Sequence, residues 1–259
     1  MVDKVEQTEK VVDLKPTAAG EAPSRRKGIY LLPNILTTGA LFGGFYAVLS
    51  GFSGHFEFAA MAIFAAMIFD GLDGRVARMT NTQSDFGVQY DSLSDMVSFG
   101  VAPAVVAYGW GVSDLGKLGL AAAFVYASCA ALRLARFNVQ AELADKKTFT
   151  GLPSPAAAAL VAGFIWSTYE LEPSLGLSIT GAMLTAAAGL LMVSNFKYPS
   201  FKEVDLRGKV PFIVILSIVM GFVVITIDPP RILFAMAVTF SFSAPLIWVW
   251  KRLTMSKAS

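Results

Sequence analysis

The stretch from residue 56 to residue 112 reads FEFAAMAIFAAMIFDGLDGRVARMTNTQSDFGVQYDSLSDMVSFGVAPAVVAYGWGV. Two apolar runs, 56–72 and 96–112, enclose a polar segment, and each approaches the ~20 residues a helix needs to cross a bilayer. Further apolar runs lie at 30–50, 118–136, 153–169, 177–195, 210–227 and 232–250. Together they predict an all-α, polytopic membrane helix bundle of about eight transmembrane helices. Composition agrees. Of 259 residues, 55% are hydrophobic and 15% charged, whereas soluble domains carry about 25% charged residues; mean hydropathy is +0.59. This excludes a large soluble enzyme domain, a disordered chain and a collagen-like one. A disulfide scaffold is excluded too, because Cys129 is the single cysteine and reads as a small core residue within an apolar run.

The basic residues test this map, because they accumulate on the cytoplasmic side of a membrane protein. With both termini inside, one face receives Lys4, Lys10, Lys15, Arg25, Arg26 and Lys27, then Arg75, Arg78, Arg133, Arg136, Lys146 and Lys147. Lys197, Lys202, Arg207, Lys209, Lys251, Arg252 and Lys257 complete it, so 19 of the 21 Lys and Arg fall on one side, leaving Lys117 and Arg231 on the other. The predicted organisation is a cytoplasmic tail at 1–28, a membrane-embedded domain at 29–250 whose last two helices occupy 209–250, and a tail at 251–259. Residues 1–28 mix both charge signs with Ala, Thr and Pro and carry no basic start followed by an apolar core, so no signal peptide is read there. Gly39, Gly43, Gly44, Gly181 and the run Ala186 to Ala188 are expected at helix contacts. Trp110, Trp166, Trp248 and Trp250 are expected in interfacial belts.

Four acids stand where an apolar helix should not have them. Asp70 and Asp73 end one apolar run, and Asp91 and Asp95 begin the next. Spacings of three and four residues put each pair on one helix face, and the two helices meet on the cytoplasmic side, so the pairs can converge. Carboxylates packed together repel one another and lose solvation, which a divalent cation relieves. An all-oxygen donor set with no His or Cys nearby favours Mg²⁺ or Mn²⁺ over zinc. Gly74, Ala77 and Gly87 interleave the acids and permit close packing or the approach of a flat or phosphorylated ligand. Arg78, one turn beyond Gly74, can hold a phosphate through paired donors. Acids, metal, arginine and small residues point to phosphoryl transfer on a nucleotide-linked substrate; a site for a transported cation or a proton relay is the alternative. Asp85, outside this pattern, reads as a helix cap or loop residue.

The pattern Asp70-x2-Asp73-Gly74-x2-Ala77-Arg78-x8-Gly87-x3-Asp91-x3-Asp95 has eight fixed residues over 26 positions, and it resembles the signature of the CDP-alcohol phosphotransferase family. The resemblance implies an integral membrane enzyme that cleaves the pyrophosphate of a CDP-linked donor, joins the phosphoryl part to an alcohol and releases CMP. It implies two divalent ions held by Asp70, Asp73 and Asp91, with Asp95 near or touching one of them and acting as general base. By the same resemblance Gly74, Ala77 and Gly87 accommodate the nucleotide, Arg78 holds a phosphate, and the enzyme is a homodimer.

Other segments narrow the branch. LLPNILTTGALFGGFYA opens the first helix, ALRLARFN ends the fourth, GLPSPAAAA precedes the next, and MVSNFKYPSFK follows helix six. They resemble the bacterial integral-membrane branch whose donor is CDP-diacylglycerol and whose acceptor is L-serine, over residues 29–209. That implies the bacterial inner membrane, a site open to the cytoplasm, and no nucleic-acid partner. One departure is Ala40, where many relatives carry Asn. Glycerol 3-phosphate, inositol phosphate or choline are the alternative acceptors. Arg133 and Arg136, three residues apart, are candidates for the serine carboxylate, for the donor phosphate or for lipid headgroups, or serve as topology charges. Asn34 and Thr37, at the inner end of helix one, are expected to contact the donor.

Overall fold

The computed structural model describes residues 31–140, 148–172, 174–199 and 212–255. The tail expected at 1–28 lies outside the described residues, as do Lys146, Lys147, Lys202, Arg207, Lys209 and Lys257. In chain order the helices are α1 (Leu31–Phe52), α2 (Phe56–Thr80), α3 (Asp85–Asp95), α4 (Ala102–Trp110), α5 (Lys117–Gln140), α6 (Ser154–Thr168), α7 (Leu175–Val193), α8 (Phe212–Ile227) and α9 (Pro229–Met255). A π-helical turn, Met96–Val101, joins α3 to α4 without a break. The only described strands, β1 (Thr148–Thr150) and β2 (Lys197–Pro199), pair antiparallel, with Thr150 opposite Lys197 and Phe149 opposite Tyr198.

Most helices fall where the apolar runs predicted them. The departures are at the polar ends. α2 does not stop at residue 72 but runs on through Arg78 to Thr80, and the rod expected from residue 96 begins at Asp85. Hydropathy falls where a helix leaves the apolar phase, but its hydrogen bonds continue until the backbone is broken. In α2 the break is Asn81, at φ 52° in the left-handed region, which an asparagine tolerates. α3 then starts on Ser84, whose hydroxyl accepts the Gly87 N–H at 3.1 Å. Asp85 is therefore the first residue inside the helix rather than its cap. At the other end α9 extends to Met255, so part of the expected tail at 251–259 is helical.

Four described helices are long and apolar enough to cross a membrane: Leu31–Phe52, Lys117–Val139, Leu175–Val193 and Pro229–Lys251. α6 is apolar but spans 15 residues, and α2 carries Glu57, Asp70, Asp73, Arg75 and Arg78. Large apolar side chains point outward, Phe42 at 65%, Phe124 at 69% and Phe52 at 89% exposed, while alanine is the commonest buried residue. That inversion suits a lipid solvent, where helices associate through close van der Waals packing of small residues. A Cβ on Gly43 would lie 3.0 Å from the Ala66 Cβ, and one on Gly44 would lie 2.5 Å from the Ser98 Cα. Gly189 likewise admits the Tyr126 backbone from α5. Cys129 is buried among the core residues.

Trp110 departs from the expected interfacial belt. It is 3% exposed, stacks edge-on with Phe164 at 5.3 Å between ring centroids, and lies against Gly181. A glycine on the facing helix opens a slot that an indole fills. Trp250, by contrast, is exposed near the end of α9.

Candidate active site

α1, α2 and α3 meet at one end of the bundle, and polar side chains fasten them there. Asp91, Ser94, Asp95 and Ser98 follow one another at helical spacing, so all four share the face turned to α1 and α2. The Ser94 hydroxyl donates to the Thr37 carbonyl at 3.1 Å, and the Ser98 hydroxyl donates to the Ala40 carbonyl at 2.9 Å. The Tyr126 hydroxyl, from α5, donates to the Phe99 carbonyl within the π-helical turn at 2.9 Å. These bonds fix the rotation of α3 and thereby aim its two acids.

Asp70, Asp91 and Asp95 each direct a carboxylate oxygen into one cluster, all within 4.8 Å of one another. Asp73, 5% exposed, makes a further contact: its Oδ2 accepts the Thr37 hydroxyl at 2.7 Å. Thr37, itself 4% exposed, thus ties α2 through its hydroxyl and α3 through its carbonyl. Its hydroxyl also lies 3.1 Å from the Pro33 carbonyl, one turn back on α1. Asn34 lies close to α3, its Oδ1 3.6 Å from where a Cβ on Gly87 would stand. Arg78 folds its guanidinium back along α2, Nη1 3.4 Å from a Cβ position on Gly74. Ala77 is half-buried on the same turn.

Three oxygens confined to 4.8 Å suit a hard divalent cation, whose bonds to carboxylates are about 2.1 Å for Mg²⁺. The donor chemistry fits: three carboxylates from two helices, with the sulfur and imidazole that zinc favours absent from the cluster. The Asp cluster is able to hold a divalent metal.

A cleft of about 210 Å³ opens beside the cluster, lined by Asp91, Ser92, Asp95, Arg133, Leu134, Phe137, Pro153 and Pro155. Asp91 and Asp95 of α3 and Arg133 of α5 all line it. One guanidinium nitrogen of Arg133, Nη1, donates to the Ser154 hydroxyl at 2.5 Å, while Nε is buried without a hydrogen-bond partner among the described residues. Arg136, one turn on, does not share this cleft. Its guanidinium donates to main-chain carbonyls of Thr150 at 3.2 Å and of Val193 and Ser194 at 3.4 Å.

Sequence reasoning missed Ser94, Ser98 and Ser154. The first two were detectable, since serines three residues beyond Asp91 and Asp95 continue one polar helix face. Ser154 left a weaker signal, a buried hydroxyl between two prolines, whose partner lies 21 residues earlier on another helix.

Helices long and apolar enough to cross a membrane, with an acid cluster able to hold a divalent metal and an arginine lining the cleft beside it, define a class of protein: a membrane helix bundle with a polar, cation-competent site. The chain belongs to the CDP-alcohol phosphatidyltransferase family, whose profile matches residues 30–195. Among its relatives is a CDP-diacylglycerol–serine O-phosphatidyltransferase of Helicobacter pylori, 38% identical over 198 residues that cover 75% of this chain and 83% of the relative. A Bacillus subtilis protein of the same name is 35% identical over 172 residues, 66% of this chain and 92% of the relative. An archaetidylserine synthase of Methanothermobacter thermautotrophicus is 35% identical over 170 residues, 65% of this chain and 69% of the relative. The chain is accordingly an integral membrane enzyme of a phosphotransferase family, which sets aside the cation-coupled transporter.

Proposed function

We propose that this enzyme transfers the phosphatidyl group of CDP-diacylglycerol to the hydroxyl of L-serine, forming phosphatidylserine and CMP. The observation that carries the reading is the cleft itself: Asp91, Asp95 and Arg133 line one space of about 210 Å³. That space suits a small acceptor bearing a hydroxyl at one end and a carboxylate at the other. The relatives named for serine transfer support it, and they include a synthase of archaetidylserine, whose name shares only the serine part.

In this mechanism Asp95 takes the proton from the serine hydroxyl while the oxygen attacks the diacylglycerol-bearing phosphorus. The new P–O bond forms as the bond to CMP breaks, and CMP leaves with the electron pair. Arg133 meets the serine carboxylate with its unpartnered edge and holds the hydroxyl toward Asp95, raising the local concentration of the nucleophile. Asn34 reaches the nucleotide, Arg78 holds a donor phosphate, and Gly74, Ala77 and Gly87 leave room for the cytidine. Thr37 supports Asp73 through its hydroxyl. Asp70, Asp73, Asp91 and Asp95 would hold two divalent ions, Mg²⁺ or Mn²⁺, which neutralise pyrophosphate charge and stabilise the leaving group.

The same reading extends to the membrane. In this reading the joined rod α3–α4 counts as one pass and the bundle crosses eight times, with α2 and the rod bringing their acids to the cytoplasmic face of a bacterial inner membrane. The lipid tails enter laterally, and the enzyme works as a homodimer. The test is an acceptor panel: purified enzyme with CDP-diacylglycerol and labelled serine, glycerol 3-phosphate, inositol phosphate or choline. CMP release is expected only with serine and a divalent metal. A different alcohol reacting while serine fails overturns the assignment.

A further inference from the structure

Arg133 and Arg136 stand one turn apart on α5, yet they meet different things. Arg133 borders the cleft and touches Ser154; among the described residues the hydrogen bonds of Arg136 go only to main-chain carbonyls, of Thr150 on one side and of Val193 and Ser194 on the other. Val193 is the last residue of α7 and Ser194 its C-cap. A helix end leaves carbonyls without partners and carries partial negative charge, and Arg136 supplies both donors and a cation there. Thr150 closes β1, so the same guanidinium joins the end of α7 to the segment that leads into α6.

That segment is held tightly. The Gly151 N–H donates to the Phe196 carbonyl at 2.8 Å, and the Leu152 N–H donates to the Leu191 carbonyl at 2.9 Å. Gly151 has φ +82°, and a Cβ there would meet the Met192 carbonyl oxygen at 2.2 Å and Arg136 Nη2 at 3.1 Å. Leu152 is fully buried, and Pro153 and Pro155 restrict the backbone on either side of Ser154. Ser154 is fully buried as well, so its hydroxyl has little freedom. It occupies Nη1 of Arg133 and leaves the edge carrying Nε, which has no hydrogen-bond partner among the described residues.

We propose that Arg136 and Ser154 are positioning residues for the acceptor: Arg136 clamps residues 150–154 to the end of α7, and Ser154 then orients Arg133 so that its free edge meets the acceptor carboxylate. The proposal rests on the assignment of Arg133 to that carboxylate. Arg136 itself touches no substrate.

The test separates positioning from mere structural support by using two acceptors, L-serine and L-serinamide, which differ in the carboxylate. Ser154→Ala should raise the KM for serine about tenfold, the loss expected when one charge-assisted hydrogen bond no longer orients the guanidinium. The KM for CDP-diacylglycerol, and turnover of serinamide, should stay within about twofold. Arg136→Gln should show the same pattern, and the double variant should be no worse than the poorer single one, because both act through Arg133. If Arg136→Gln cannot be recovered folded, Arg136→Lys takes its place, with the same pattern at smaller amplitude.

Equal losses with serine and serinamide would overturn the proposal, reducing both residues to structural roles. A rise confined to the KM for CDP-diacylglycerol would place Arg136 on the donor and overturn it too. Arg133→Ala keeps the two levels of the argument distinct. If that variant leaves the serine KM unchanged, the carboxylate assignment falls. If it raises the serine KM while Ser154→Ala and Arg136→Gln do not, only the positioning proposal falls.

Discussion

Replacing Gly44 by alanine tests whether the acids are aimed by the contact between α1 and the π-helical turn. A Cβ at this position would stand 2.5 Å from both the Cα and the Oγ of Ser98 and 2.9 Å from its Cβ. Carbon atoms rest at about 3.5–4.0 Å, so the two segments must separate by roughly 1 Å. The obstacle is backbone, and rotation of a side chain cannot relieve it. Overpacking of this kind costs about 1–3 kcal/mol. The same displacement stretches the bonds from Ser94 to Thr37 and from Ser98 to Ala40, each worth about 1 kcal/mol. A loss of roughly 2–4 kcal/mol corresponds to about 5–10 °C in unfolding temperature for a chain of this size. Catalysis should suffer more, since a shift of about 1 Å in a reacting group costs on the order of a hundredfold. The assay is thermal unfolding of the purified enzyme in detergent, with kcat/KM for CMP release measured alongside. Gly221→Ala on α8 is the control, because a Cβ there meets nothing within 4 Å, and it should be neutral or slightly stabilising. If Gly44→Ala matches Gly221→Ala in both measurements, the contact does not aim the acids.

Two further outcomes bear on the acid cluster. Asp95→Asn should lower kcat by about 10²–10⁴, the usual contribution of a general base, while CDP-diacylglycerol still binds in a direct binding assay; full turnover would remove Asp95 from that role. Asp91→Ala and Asp70→Ala should each shift the activating-metal titration to higher concentration by at least about tenfold. Unchanged metal dependence in both variants would take these residues out of the metal site.

Much of this architecture is legible in the sequence because lipid and water impose opposite demands on side chains. The apolar runs located α1, α5, α6, α7 and α9 to within a few residues. The ends of α2 and α3 were not legible in that way. Polar residues from Asp70 to Arg78 can stay helical outside the apolar phase, and only Asn81 and Ser84 mark where the backbone turns. The acid pairs were visible from spacing, and so was the convergence of Asp70 with Asp91 and Asp95 from the two helices. The different contacts of Arg133 and Arg136 were not visible, although the residues are identical and stand one turn apart on the helix. Arg136 is held by carbonyls of residues 150, 193 and 194, and main-chain acceptors leave no trace in side-chain pattern. Trp110 shows the same limit from the apolar side, since its place depends on Gly181 of a helix far along the chain.

The π-helical turn between Asp95 and Ala102 has a further consequence. Its Ala102 N–H reaches back to the Val97 carbonyl, five residues away, so the hydrogen-bonded loop takes in one residue more there than it would in an α-helix. One residue corresponds to about 100° of rotation. The acid-bearing half and the apolar half of the rod are therefore set in phase independently, like two sections of a shaft joined by an offset coupling. The outer section can turn its acids toward α2 and the cleft. The inner section can present Ala102, Val106 and Trp110 to the core without either orientation dictating the other. Removing a single residue between 96 and 101 would rigidly couple the two, and the chemistry and the packing would then compete for one rotation.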